Sequence, residues 1–182
     1  MSMASVSPLP SPIAPAIGPL IAPMSGPMAG AIGEGSGDTL AMLINQDPAI
    51  GEYSAGSPGG IRSAPYDVLD KTYADMTGAE VHADGEVYAA IMWRTLVNYA
   101  NAGLTADDLL EDWVQGMMFT PSQPNVEQMR DGLLMGAPSV RDCLIWEAYA
   151  HFGVGLDAVG FVGPQRAIFV TEDFDVPAQC VE

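Results

Sequence analysis

Basic residues are scarce in this sequence. Six Lys and Arg stand against 23 Asp and Glu, and the net charge is −17. Such a chain has no cationic surface to displace counterions from phosphates, which excludes nucleic-acid binding. The same lack argues against binding to anionic membranes. It suits a soluble protein kept dispersed by self-repulsion. No apolar run is long enough to cross a bilayer. The N-terminus does not read as a signal peptide, because it has no basic n-region and prolines interrupt its apolar residues. Nucleophile signatures are missing too. The sequence contains no G-x-S-x-G elbow. No Gly-rich run follows a strand as a phosphate loop would.

Cysteine and histidine are each present twice. Cys143 and Cys180 allow two readings: two buried thiols, or one disulfide tying the last segment to a helix. Closing a loop of that length contributes about 4 kcal/mol in the chain-entropy picture and implies an oxidising compartment. Neither cysteine has the local signature of an activated thiolate. The histidines are His82 and His151, so no histidine precedes residue 82.

The character of the chain changes near Gly33. Before it no residue is charged, and Pro8, Pro10, Pro12, Pro15, Pro19, Pro23 and Pro27 recur among Ala, Ser, Met and Gly. Each proline removes a backbone donor, so residues 1–33 read as disordered or loosely polyproline-like. Residues 34–182 read as one mostly helical domain of five helices. The first, 34–46, is short and buried. A long irregular connection over 47–80 follows, punctuated by Pro48, Gly51, Pro58, Gly60 and Pro65; long loops in compact domains often carry function. A helix from about His82 to Asn101 places Val87, Ala90, Ile91 and Leu96 largely on one face. Thr105 with Asp108 and Asn125 with Gln128 have capping-box spacing and open the next two helices. Ser139 is expected to cap a fifth, with Val140 and Leu144 facing inward. Residues 167–170 suit a short C-terminal extended segment. The Met and aromatic stripes need no cofactor, since core packing explains them.

Few residues could carry chemistry. Glu34 and Asp38 are four apart, which puts both carboxylates on one helix face. One could bind a metal while the other orients a neighbouring ligand. The bland reading is acids in a first helical turn, drawn to its positive end. His82 opens the longest helix, where an imidazole could donate to a developing oxyanion. It is spaced i,i+4 from Glu86, a pattern also seen at metal sites. Arg62 is one of the six bases and lies in the long loop. It is either a solvated charge or a clamp on a substrate carbonyl or carboxylate. His151 sits in a last helical turn, where the dipole explains it. Asp107, Asp108, Glu111 and Asp112 lack the ligand spacing and turn glycine of a calcium loop, and read as a solvated helix face.

The order of these pieces resembles fungalysin-like, thermolysin-type zinc metallopeptidases. Gly33-Glu34-Gly35-Ser36-Gly37-Asp38 is similar to the family's E-G-W-S-D, with Ser36-Gly37 where Trp-Ser usually stands. Gly60-Ile61-Arg62-Ser63 resembles the loop with the family's Arg-Ser. Val81-His82-Ala83-Asp84-Gly85-Glu86-Val87-Tyr88-Ala89 is similar to V-H-x-x-G-E-V-W-A. Gly116 to Pro121, Met129 to Gly132, Cys143 to Trp146 and Phe174 to Cys180 continue the likeness. The resemblance implies the helical C-terminal lobe of a secreted, extracellular peptidase acting on peptides or proteins. It implies Glu34 as third zinc ligand, Asp38 as support for a zinc-bound histidine, Arg62 as substrate binder and His82 as oxyanion stabiliser. The family's other zinc ligands lie in an upstream H-E-x-x-H, which needs histidines before Glu34. With one donor of the three a catalytic zinc needs, the chain is expected to be inactive alone and to require a lobe carrying H-E-x-x-H. The alternative is a non-catalytic descendant that binds a peptide or partner through the old cleft face. A shared cleft further implies unburied apolar surface near Glu34 and His82.

Overall fold

The computed structural model describes residues 24–181. The proline-rich stretch before Met24, expected to be disordered, lies outside the described residues. Six α-helices occur among them: α1 Pro27–Asn45, α2 Glu52–Ala55, α3 Val81–Asn101, α4 Ala106–Met117, α5 Val126–Gly136 and α6 Asp142–His151. A two-stranded antiparallel hairpin follows, β1 Val159–Val162 and β2 Ile168–Thr171, pairing Val159 with Thr171 and Val162 with Ile168. The lobe is mainly helical, as expected.

α1 begins at Pro27, earlier than the expected boundary at residue 34. The reason is positional. Pro27 occupies the first helical turn, where its missing N–H costs nothing, and the next proline is Pro48. Met28, Ala31, Ile32, Gly35, Thr39 and Met42 then fall at helical spacing and are buried. Their partner is α3, whose Val87, Tyr88, Ile91 and Met92 are also buried. Two glycines set the crossing. A Cβ at Gly35 would lie 2.4 Å from the Gly85 carbonyl oxygen, and one at Gly85 would lie 2.6 Å from the Ala31 oxygen. The helices therefore touch backbone to backbone.

Caps at α4 and α5 form as read, with Thr105 accepting from the Asp108 N–H and Asn125 from the Gln128 N–H. Ser139 does not cap a helix. Residues Ser139–Arg141 form a 3-10 turn without a side-chain cap bond, α6 starts at Asp142, and Val140 is 87% exposed. The acidic face of α4 is only half solvated. Asp112 is buried and accepts from Tyr99 Oη at 2.8 Å and Arg141 Nη1 at 2.6 Å, while Arg141 Nη2 reaches Asp108. Cys143 and Cys180 form a disulfide that ties the C-terminal segment to α6.

The connection over 46–80 is ordered by contacts rather than by regular structure. It holds α2 and a 3-10 turn at Tyr73–Asp75. Its end is fixed by Asp84 of α3, buried, which accepts from the Thr77 and Gly78 N–H groups at 2.9 and 2.8 Å. Glu80 then caps α3, its carboxylate accepting from the N–H groups of His82 and Ala83 at 3.0 and 2.8 Å.

Two predictions follow from these contacts. Gly35→Ala forces a methyl into the α1–α3 crossing and should destabilise by about 1–3 kcal/mol. Gly37→Ala meets open space and should be neutral or stabilising by up to about 1 kcal/mol. Urea melts that ranked the two equally would break this account. For the cap, bonds from the His82 N–H, the His82 ring and the Ala83 N–H lower the Glu80 carboxyl from its ordinary 4.5 to about 2. A depressed folded pKa means that the cap contributes fully above the unfolded value and is lost as pH falls through the folded one. NMR should find the Glu80 carboxyl titrating near about 2, with Ala83 amide protection fading over the same range. A Glu80 midpoint near the ordinary 4.5 would contradict it.

Candidate functional site

The α1–α3 crossing decides what meets at the surface. Glu34 precedes Gly35, and a Cβ at Gly85 would lie 3.2 Å from the Glu34 Cβ. His82 lies one turn before Gly85 on α3. The result is a contact of 3.1 Å between His82 Nε2 and Glu34 Oε2, both side chains about half exposed, at 52% and 42%. Glu34 is therefore neither in a first helical turn nor buried in the core. It sits in the middle of α1, so attraction to a helix N-terminus does not explain it.

The imidazole is held from both sides. Its Nδ1 lies 2.6 Å from Glu80 Oε1. The bond to Glu80, and then the charge on Glu34, raise the His82 pKa above its ordinary value, so the charged form is favoured. Each ring nitrogen faces a carboxylate, which suits the doubly protonated ring. Glu86 is not part of this group. The i,i+4 spacing to His82 suggested a metal pair, but the Glu86 side chain is 5% exposed and turns to the loop, bonding Ser63 and Lys71.

Asp38 is one helical turn beyond Glu34 and holds Arg62. Arg62 Nε and Nη2 donate to the two Asp38 oxygens at 2.6 and 2.9 Å. Tyr66 Oη donates to the same carboxylate. The Asp38 bond raises the Arg62 pKa, and burial followed by the Asp38 bond raises that of Tyr66, so both stay protonated. The Arg62 side chain is largely buried, which rules out a solvated surface charge. Its Nη1 makes no hydrogen bond among the described residues and remains free to donate. Arg62 is also near enough for its charge to oppose protonation of His82.

The four residues singled out from the sequence thus converge, as two linked pairs. Glu80 and Tyr66 were not foreseen. An acid two positions before His82 was a usable signal; nothing in the sequence pairs Tyr66 with Asp38. His151 ends α6 as read, edge-on to Phe152. Apolar surface is open on α1, on α2 and in the loop. Leu40 and Ile44 are exposed on α1 opposite its buried face, Tyr53 is fully exposed on α2, and Ile61 is exposed next to Arg62.

A tetrahedral zinc site needs at least three protein donors. Glu34 offers one, and its neighbour His82 has both nitrogens on carboxylates. Among the described residues, no group of three His, Cys, Asp or Glu is placed to hold a metal. The described residues therefore make no complete zinc site among themselves.

Residues 22–158 match the family model described as fungalysin metallopeptidase (M36). Extracellular metalloproteinase 2 of Arthroderma gypseum is 29% identical over 82% of this chain and 28% of its own length. The protein of the same name from Trichophyton rubrum matches to the same degree. Extracellular metalloproteinase MEP of Neosartorya fischeri is 29% identical over 70% of this chain and 25% of its own length. The chain spans about a quarter of the length of these curated relatives. The family match takes in Glu34, Asp38, Arg62 and His82 and most of the helical lobe around them, and the chain belongs to the fungalysin metallopeptidase family.

Proposed function

We propose that this chain supplies the C-terminal part of a secreted zinc metalloendopeptidase and does not cut peptides by itself. The observation that carries this reading is the contact between Glu34 and His82, with Arg62 fixed one helical turn away on Asp38. In the assembled enzyme Glu34 would be the third zinc ligand. Zinc there would supply Lewis acidity to a water and to the scissile carbonyl. Arg62 donates from its free Nη1 to a substrate carbonyl. His82, kept charged by Glu80, donates from Nε2 to the oxyanion developing on the scissile carbonyl. Asp38 aims Arg62 and, on this reading, would also support a zinc-bound histidine from the other lobe.

The remaining zinc donors come from an H-E-x-x-H helix outside this sequence. The exposed stripe of Leu40 and Ile44, with Tyr53 and Ile61, is the surface on which that lobe packs. Secretion accords with the relatives' names as extracellular metalloproteinases and with the Cys143–Cys180 disulfide. The substrates are peptides or proteins.

The test is a casein or peptide cleavage assay with added zinc, run on this chain alone and with an H-E-x-x-H lobe supplied. No turnover is expected from the chain alone, and zinc-dependent turnover from the pair. In the pair, Glu34→Gln should abolish zinc retention, and His82→Ala should lower kcat by about 10²–10³-fold. Zinc-dependent cleavage by the isolated chain, or an unaffected His82→Ala variant, would refute the proposal. Tight zinc-free peptide binding without cleavage in the paired state would instead favour a non-catalytic binder.

A further inference from the structure

Glu86 is a buried carboxylate next to the site and has no role in the scheme above. It lies on α3 one turn beyond His82. Its carboxylate accepts from the Ser63 N–H at 2.8 Å, from the Ser63 hydroxyl and from the Lys71 ammonium. Burial disfavours its charge, but the Lys71 and Ser63 bonds outweigh burial and keep its pKa below the ordinary value. Lys71 also reaches the Ala83 carbonyl oxygen, so both partners of the ion pair stay on the first turns of α3. Core packing does not require a charge here, since a buried ion pair seldom stabilises more than apolar residues of the same volume. What these bonds achieve is positional. They fix the backbone at Ser63, the residue after Arg62.

Arg62 is thus gripped twice. Asp38 of α1 holds its guanidinium, and Glu86 of α3 holds the chain beside its Cα. We propose that Glu86 is a positioning residue for Arg62, holding the Ser63 backbone on the helix that carries His82 so that Nη1 keeps a fixed place relative to the imidazole. This rests on the reading of Arg62 as the substrate-binding group. The rest of the loop has its own anchors, at Asp84 for Thr77 and Gly78 and at the Pro48 carbonyl for Tyr66. The Ile61 N–H, just before Arg62, stays on the Ile50 carbonyl, so loss of Glu86 should free the Ser63 side of Arg62 without releasing the whole loop.

The experiment compares the full chain with Glu86→Gln and Ser63→Ala, reading solvent exchange of arginine Nε–H protons by NMR. Arg94 is the internal control, because its Nε also bonds a carboxylate, that of Glu147, on another part of the lobe. Glu86→Gln should raise Arg62 Nε–H exchange by at least about tenfold and leave Arg94 within about twofold. Ser63→Ala, which removes only the hydroxyl bond, should give a smaller rise at Arg62 alone. Unchanged Arg62 exchange in a folded Glu86→Gln variant overturns the proposal, as does an equal rise at Arg94. Should Glu86→Gln fail to fold, Ser63→Ala decides by the same comparison. In the pair with the supplied lobe, Glu86→Gln should raise KM for peptides and leave kcat within about threefold. If the unsubstituted pair cleaves nothing, the peptidase reading fails, while the exchange result still decides the tether.

Discussion

The approach of α1 to α3 through Gly35 and Gly85 is the constraint from which the site follows. At ordinary helix separations of about 8–10 Å, side chains keep the two backbones apart. Here a Cβ on either glycine would sit well inside van der Waals contact distance of the opposite carbonyl oxygen. Closing that gap brings Glu34 and His82, residues on different helices and far apart in sequence, to 3.1 Å. Neither side chain needs to be buried for this. The backbones place them, so both remain half exposed at the rim and available to a ligand.

A second layer of order comes from carboxylates that are buried and satisfied. Asp38, Asp84 and Glu86 take up the N–H, guanidinium, hydroxyl and ammonium groups of the connection over 46–80. An irregular segment of that length leaves many backbone donors unpaired, and buried carboxylates are strong acceptors for them. The same economy governs the bases. Arg62, Lys71, Arg94, Arg130 and Arg141 all lie in ion pairs, which leaves Arg166 as the sole base without one among the described residues. With its cations so engaged the lobe offers no free positive patch among the described residues, and Arg62 meets the candidate site already paired to Asp38.

What could be read from the sequence was whatever depends on neighbours in sequence. The Thr105–Asp108 and Asn125–Gln128 boxes, the long helix after His82 and the short strand near residue 168 are local patterns, and each appears. The start of α1 was misplaced because a run of prolines argues for irregular chain until its last member, and Pro27 is that member. β1 was missed because Val159-Gly160-Phe161-Val162 is too short to alternate clearly. The links of Tyr66 to Asp38, Ser63 to Glu86 and Arg141 to Asp112 join distant parts of the chain. No periodicity encodes such pairs. Convergence of Glu34, Asp38, Arg62 and His82 was legible only through the order of motifs; the charge and burial that set their chemistry were not.

The composition of α1 carries the last step. From Pro27 to Asn45 its only charged residues are Glu34 and Asp38. A helix on the surface of a globular lobe normally shows a polar face to solvent, and one that is apolar or small on every side is built for burial. One side of α1 meets α3. The other presents Gly37, Leu40 and Ile44 to solvent, with a glycine where a second backbone could come as close as that of α3. Glu34 stands at the edge between the two sides, and Asp38 is turned toward the loop by Arg62 and Tyr66. That composition is what supports the proposal of a second lobe packed on this side of α1, with Glu34 at the seam between the two.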